Sequence, residues 1–185
     1  MYRMCILVLL ATSSVFGGTT DDSPVKVTKT SVPQKRLDFE VEIPAPVNEV
    51  WNCFSTREGM ISWITPDAEI EMRVGGDWLA KYPGVLPGGG KIVSFEPEQF
   101  ITIHAMAPEQ FPTVRKEGTT AVFTFIVLDE HHTIVHLSQV GWKSGEEWEN
   151  AYDHLSRGNA ILLTQLRNRF LNGPVNWADE MKSAK

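Results

Sequence analysis

A chain of 185 residues with 42% hydrophobic and 22% charged residues is long enough for one domain with a substantial core and short for two. Its formal net charge of −6 is spread in mixed signs along the chain. That argues against a nucleic-acid surface, which wants clustered Lys and Arg.

The first residues differ in kind from the rest. In "MYRMCILVLLATSSVFGG", Arg3 is followed by an apolar run from Met4 to Ala11 and then by small and polar residues. That is the layout of a secretory signal over residues 1–18, with cleavage after Gly17 or Gly18, and it implies a secreted or periplasmic protein. The run is shorter than the roughly 20 apolar residues needed to span a bilayer, so no membrane span is expected in the mature chain. Losing the signal removes Cys5 and leaves Cys53 alone, without an internal disulfide partner. In "EVWNCFS" that cysteine falls inside an apolar helical pattern and reads as a small core residue.

Residues 19–34 are rich in Thr, Ser, Asp, Lys and Pro and read as a flexible linker. The folded domain is expected over 35–175. It opens with "RLDFEVEIPAP", where Leu37, Phe39, Val41 and Ile43 alternate with charged residues as in a strand with one buried face. Pro44 and Pro46 end that strand. "VNEVWNCFS" then switches to helical spacing, and "REGMISWI" gives a second short helix. Strands follow in "AEIEMRV" and "DWLAKY", joined by a turn at Gly75-Gly76. Two more lie in "GGGKIVSFEPEQFITIHAM", and a long hairpin in "TTAVFTFIVLDEHHTIVHLSQVGW" turns near Asp129 to His132.

A long helix completes the domain. Ser144 and Glu147 match a capping box at its start. Trp148, Tyr152, Leu155, Leu162, Leu166 and Phe170 recur at helical spacing, and Asn172-Gly173-Pro174 ends it. Residues 176–185 are left as a tail. Gly158 and Asn159 interrupt the stripe. The glycine costs roughly 1 kcal/mol of helix propensity relative to alanine, which a close backbone approach would offset.

No metal-ligand spacing, nucleophile elbow or phosphate loop is present, so no motif implies a metal or a cofactor. "LPGGGK" lacks the ending of a phosphate loop and leads into a strand. The fold class is α+β, a curved antiparallel sheet of six to seven strands around a long C-terminal helix, with two short helices after the first strand. One helix cannot fill the concavity of so large a curved sheet, and a cavity between them is the natural consequence.

The residues also carry a family resemblance. "FEVEIPAPVNEVWNCFSTREGMISWI", "VGGDW", "KIVSFEPEQFITI" and "TIVHLSQVGWKSGEEWENAYDHLSRGNAILLTQL", in that order, resemble the SRPBCC superfamily, also called START-like or birch-pollen-allergen-like. Within it the chain is similar to the group named after the activator of the heat-shock-protein-90 ATPase, C-terminal-domain type. The resemblance implies a helix-grip fold. It also implies that relatives often carry a tryptophan where Asn159 stands, and an aromatic where His104 stands. Asn159 would then face the cavity, or reach solvent through helix rotation.

Strand parity places Phe100, Thr102 and His104 on one face, Val135, Leu137 and Gln139 on another, and Phe123, Phe125 and Val127 on a third. Trp78 and Tyr82 share a face two strands earlier. The candidate ligand-lining set is Trp51, Trp63, Trp78, Tyr82, Phe100, His104, Phe123, Phe125, Leu137, Gln139, Trp148, Tyr152, Leu155 and Asn159. The leading functional expectation is a module binding a small apolar or amphipathic molecule, with a protein partner possible. The alternatives are a cyclase- or hydrolase-like enzyme using His104 as general acid or base, and a co-chaperone-like ATPase activator working through protein contacts.

Overall fold

The computed structural model describes residues 23–183. The signal expected over 1–18 lies outside the described residues. Eight antiparallel strands form one sheet in the order β1-β2-β8-β7-β6-β5-β4-β3, one strand more than the upper expectation. They are β1 (Val25–Thr30), β2 (Arg36–Ile43), β3 (Asp67–Ile70), β4 (Asp77–Lys81), β5 (Gly88–Glu96), β6 (Phe100–Met106), β7 (Thr119–Val127) and β8 (Thr133–Val140). The helices are α1 (Val47–Ser55), α2 (Arg57–Ile61), α3 (Pro112–Glu117), α4 (Glu146–Asn172) and α5 (Trp177–Ser183).

The additional strand is β1, which lies inside the stretch read as a linker. Its sequence, VKVTKT, is too polar to announce burial, and only Val25 is buried. Lysines suit a sheet edge, where they discourage pairing with another chain. The strand forms because β2 offers a free edge, and the register runs from Val25 opposite Val41 to Thr30 opposite Arg36. The resulting hairpin is tied to α4 by Lys29 to Asp153 at 2.8 Å, Lys35 to Glu149 at 2.5 Å, and the Tyr152 hydroxyl donating to the Arg36 carbonyl at 2.9 Å.

The stretch expected as a C-terminal tail, 176–185, carries helix α5, and the chain leading into it is held to α2. The Val175 amide donates to the Ser62 carbonyl at 2.9 Å, and the Trp177 indole nitrogen donates to the Ile61 carbonyl at 2.5 Å. The Trp177 ring meets the Tyr82 ring edge-on at 6.0 Å. Helix α5 therefore lies against α2 and the end of β4.

The core lies between the concave face of the sheet and the helices. Phe54 of α1 is its hub, with ring centroids 5.0 to 6.5 Å from Trp63, Trp78, Phe123 and Phe125. The two indoles of this cluster find acceptors: Trp63 donates to the Cys53 carbonyl at 2.9 Å and Trp78 to the Phe54 carbonyl at 2.7 Å. Aromatic bodies thus fill the core while their polar edges are satisfied. Cys53 itself is 2% exposed, and burial pushes its thiol pKa up, which keeps it a poor nucleophile.

The capping box does not form. Gly145, at φ 124°, occupies the N-cap of α4, so Ser144 falls one residue too early to cap. Glu147 turns outward instead and accepts from the amides of Thr113 at 2.6 Å and Val114 at 3.0 Å. It caps α3, a short helix not among those expected from the sequence, with Pro112 in its first turn and Gly118 just past its end.

Candidate functional site

A cavity of 420 Å³ lies between the sheet and α4. Small residues open it. In the sheet, Ala80 pairs with Gly88, Gly90 with Ala105, Ala105 with Thr119, and Ala121 with Gln139. Ala80, Gly88, Gly89, Ala105 and Ala121 all line the cavity. Large residues occupy the next positions on the same face, where Trp78, Ile103, Phe123 and Leu137 form the cavity's deeper wall. Gly89 adopts φ 98°, and a Cβ there would sit 2.1 Å from the Trp78 carbonyl oxygen, so this strand passes too close for any side chain.

The roof comes from α4. Leu155, Asn159 and Leu162 line the cavity at spacings of four and three residues, one face of the helix. Asn159 Nδ2 donates to Gln139 Oε1 at 2.9 Å, and Gln139 Nε2 donates to Thr119 Oγ1 at 2.7 Å. This chain satisfies the interior amide of Gln139, which is 4% exposed. Asn159 Oδ1 has no hydrogen-bond partner among the described residues. Of the two readings of Asn159, the cavity-facing one matches this geometry. Gly158 behaves differently from expectation: a Cβ there meets nothing within 4 Å. No close backbone approach explains this glycine.

The mouth is formed by Tyr82, Val85 and Leu86 after β4 and by Pro108, Glu109, Gln110 and Arg115 between β6 and β7. Val85 and Leu86 are each about half exposed. The Tyr82 hydroxyl donates to the Ile64 carbonyl, and burial raises its pKa. Arg115 donates from Nη1 to the Ala107 carbonyl at 2.7 Å and from Nη2 to the Pro87 carbonyl at 2.8 Å, joining the two rim segments.

Of the fourteen candidates, Trp78, Tyr82, Phe123, Leu137, Gln139, Leu155 and Asn159 line this cavity. The others do not. Phe100 and His104 point to the opposite face of the sheet, because Ile101 pairs with Phe123 and Ile103 with Ala121. Cross-strand partners share a face, so Ile101 and Ile103 turn inward. Both faces of "FITIHAM" carry apolar residues, and alternation alone could not choose between them. The His104 ring packs instead over Gly118, where a Cβ would come within 2.4 Å of the imidazole.

Trp63 and Phe125 belong to the Phe54 cluster, and Trp51 meets Phe125 edge-on at 5.6 Å. Trp148 and Tyr152 pack around Trp142, near the start of α4. The lining residues that the sequence did not reveal are mostly the small ones and the rim, Arg115 above all. A cavity floor of Ala and Gly carries no positive signal, because it is defined by missing side chains.

The model of the family described as activator of Hsp90 ATPase homolog 1-like protein matches residues 44–170. The chain belongs to that family. No curated protein sequence matches it. Among solved structures, it is similar to the Aha1 dimer from Colwellia psychrerythraea at 17% identity and a TM-score of 0.61, covering 75% of this chain and 97% of that one. CalU16 from Micromonospora echinospora superposes at 18% identity and a TM-score of 0.58, covering 86% and 91%. Protein Ms6760 from Mycobacterium smegmatis gives 19%, 0.58, 78% and 96%. At these identities the likeness is one of fold, and the helix-grip architecture is shared. Family membership supports a ligand-binding or co-chaperone-like domain in general terms, since one fold carries many activities. No helix among the described residues is long and apolar enough to cross a membrane.

Proposed function

We propose that this member of the activator-homologue family is an exported binder of a small apolar or amphipathic molecule, held between the sheet and α4. The observation that carries the reading is the 420 Å³ cavity, whose volume falls within the roughly 300–1,000 Å³ of small-molecule sites. Its walls are apolar, and its polar handle, the Asn159 to Gln139 to Thr119 chain, is already aligned by internal hydrogen bonds. A pre-set handle lowers the ordering cost of binding. Export is supported by Arg3 and the apolar run after it. Intact mass of the protein from its own host should lack residues 1–18, and a mass that includes Met1 removes export from the proposal.

Titration with Nile red, a neutral dye, tests the cavity. Saturable binding at one dye per chain is expected. Asn159→Trp places a large side chain in the roof and should abolish that binding while the circular dichroism stays that of the unaltered protein. Binding that persists through Asn159→Trp, or never saturates, removes the cavity from the function.

A further inference from the structure

We propose that the cavity takes an amphipathic monocarboxylate, and that Arg115 receives its carboxylate at the rim. This rests on the cavity reading above and names the ligand's chemistry. Three ionisable side chains line the cavity: Tyr82, Glu109 and Arg115. The Tyr82 hydroxyl is committed to the Ile64 carbonyl. Arg115 is partly buried, its two terminal nitrogens each donating to a backbone carbonyl, of Ala107 and of Pro87. Those bonds fix the plane of the guanidinium but do not neutralise it. A guanidinium carries five N–H donors, so donors remain. Among the described residues no carboxylate pairs with it.

A planar, oriented cation with free donors beside an apolar cavity matches a carboxylate with a hydrocarbon body. Arginine meets that group with two parallel hydrogen bonds where a lysine offers a point charge. Glu109 shares the rim but is exposed, where water weakens its repulsion of an anion. Its exposure also makes it the weaker anchor for a cationic ligand, whose charge the held Arg115 would oppose. The interior, whose polar lining is the uncharged amides of Gln139 and Asn159, suits an uncharged body. The charged end therefore belongs at the mouth.

Displacement of Nile red from the full protein by laurate, lauryl alcohol and laurylamine separates the possibilities, since the three share a chain and differ in head group. Laurate should bind about tenfold more tightly than the alcohol, the size expected of a charge-assisted hydrogen bond, and the amine should bind most weakly. Arg115→Gln should bring the acid-to-alcohol ratio to about one, with the alcohol still bound, while Arg115→Lys keeps part of the preference. Because the ratio is internal to each variant, any loosening of the rim affects both ligands alike. Glu109→Gln, at an exposed position, should strengthen laurate binding and leave the alcohol unchanged. Saturable dye binding with no preference for laurate, or a preference that survives Arg115→Gln, overturns the carboxylate assignment and leaves the cavity reading standing. Failure of the dye itself to bind overturns the cavity reading instead.

Discussion

The same substitution at two helical glycines should have opposite signs. Gly158 sits inside α4, and an added Cβ meets nothing within 4 Å. Alanine there gains helix propensity and narrows the unfolded chain without any contact to oppose it, worth about 0.5–1 kcal/mol. For a domain of this size each kcal/mol moves the melting temperature by roughly 2–4 °C, so Gly158→Ala should raise it by about 1–4 °C. Gly59 lies in α2, where a Cβ would stand 1.8 Å from the Asn52 carbonyl oxygen and 2.7 Å from Thr56 Oγ1. Thr56 Oγ1 also accepts from the Gly59 amide at 2.9 Å, so relief of the clash means moving the α1–α2 junction and losing that cap. Overpacking of this kind costs about 1–3 kcal/mol. Thermal unfolding followed by circular dichroism, with urea melts for the free energies, reads both variants. A lower melting temperature for Gly158→Ala refutes the open surroundings of that glycine and restores the close approach its sequence context suggested.

On α4, Leu163→Ala should cost about 2–5 kcal/mol because Leu163 is fully buried, while the exposed Arg157→Ala stays within about 0.5 kcal/mol; urea melts showing equal effects contradict the assigned faces. Leu162→Ala should cost less than Leu163→Ala, since Leu162 already borders the cavity and loses fewer packed neighbours. Ala121→Phe should fill the cavity floor and eliminate Nile red binding with the protein still folded, and dye binding that survives would place the site elsewhere. The Glu147 carboxylate is held below its usual pKa chiefly by its hydrogen bond to Thr113, which outweighs desolvation, with the Val114 amide adding a smaller contribution. A depressed carboxylate contributes stability above its unfolded pKa and loses it as pH falls through the folded value. Glu147→Gln should therefore flatten part of the stability loss on acidification below the ordinary glutamate range, and an unchanged acid limb in urea melts across pH would refute the cap on α3.

What the sequence determined by itself was whatever local periodicity encodes. Alternation marked β2, helical spacing marked α1 and α4, and Asn172-Gly173 marked the end of α4, because those signals arise from residues a few positions apart. The tertiary structure decided the rest. The polar stretch VKVTKT is a strand only because β2 has an unpaired edge beside it. "FITIHAM" has two apolar faces, and the register with β7 alone turned Ile101 and Ile103 inward and His104 out. Ser144 and Glu147 had the right spacing for a cap, yet a glycine between them and a neighbouring helix gave the carboxylate other partners. A cavity under the helix was expected from the curved sheet, but what forms its base was the least legible feature. Its floor is Ala80, Gly88, Ala105 and Ala121, residues distant in sequence whose smallness matters only because strand pairing gathers them under one face of α4.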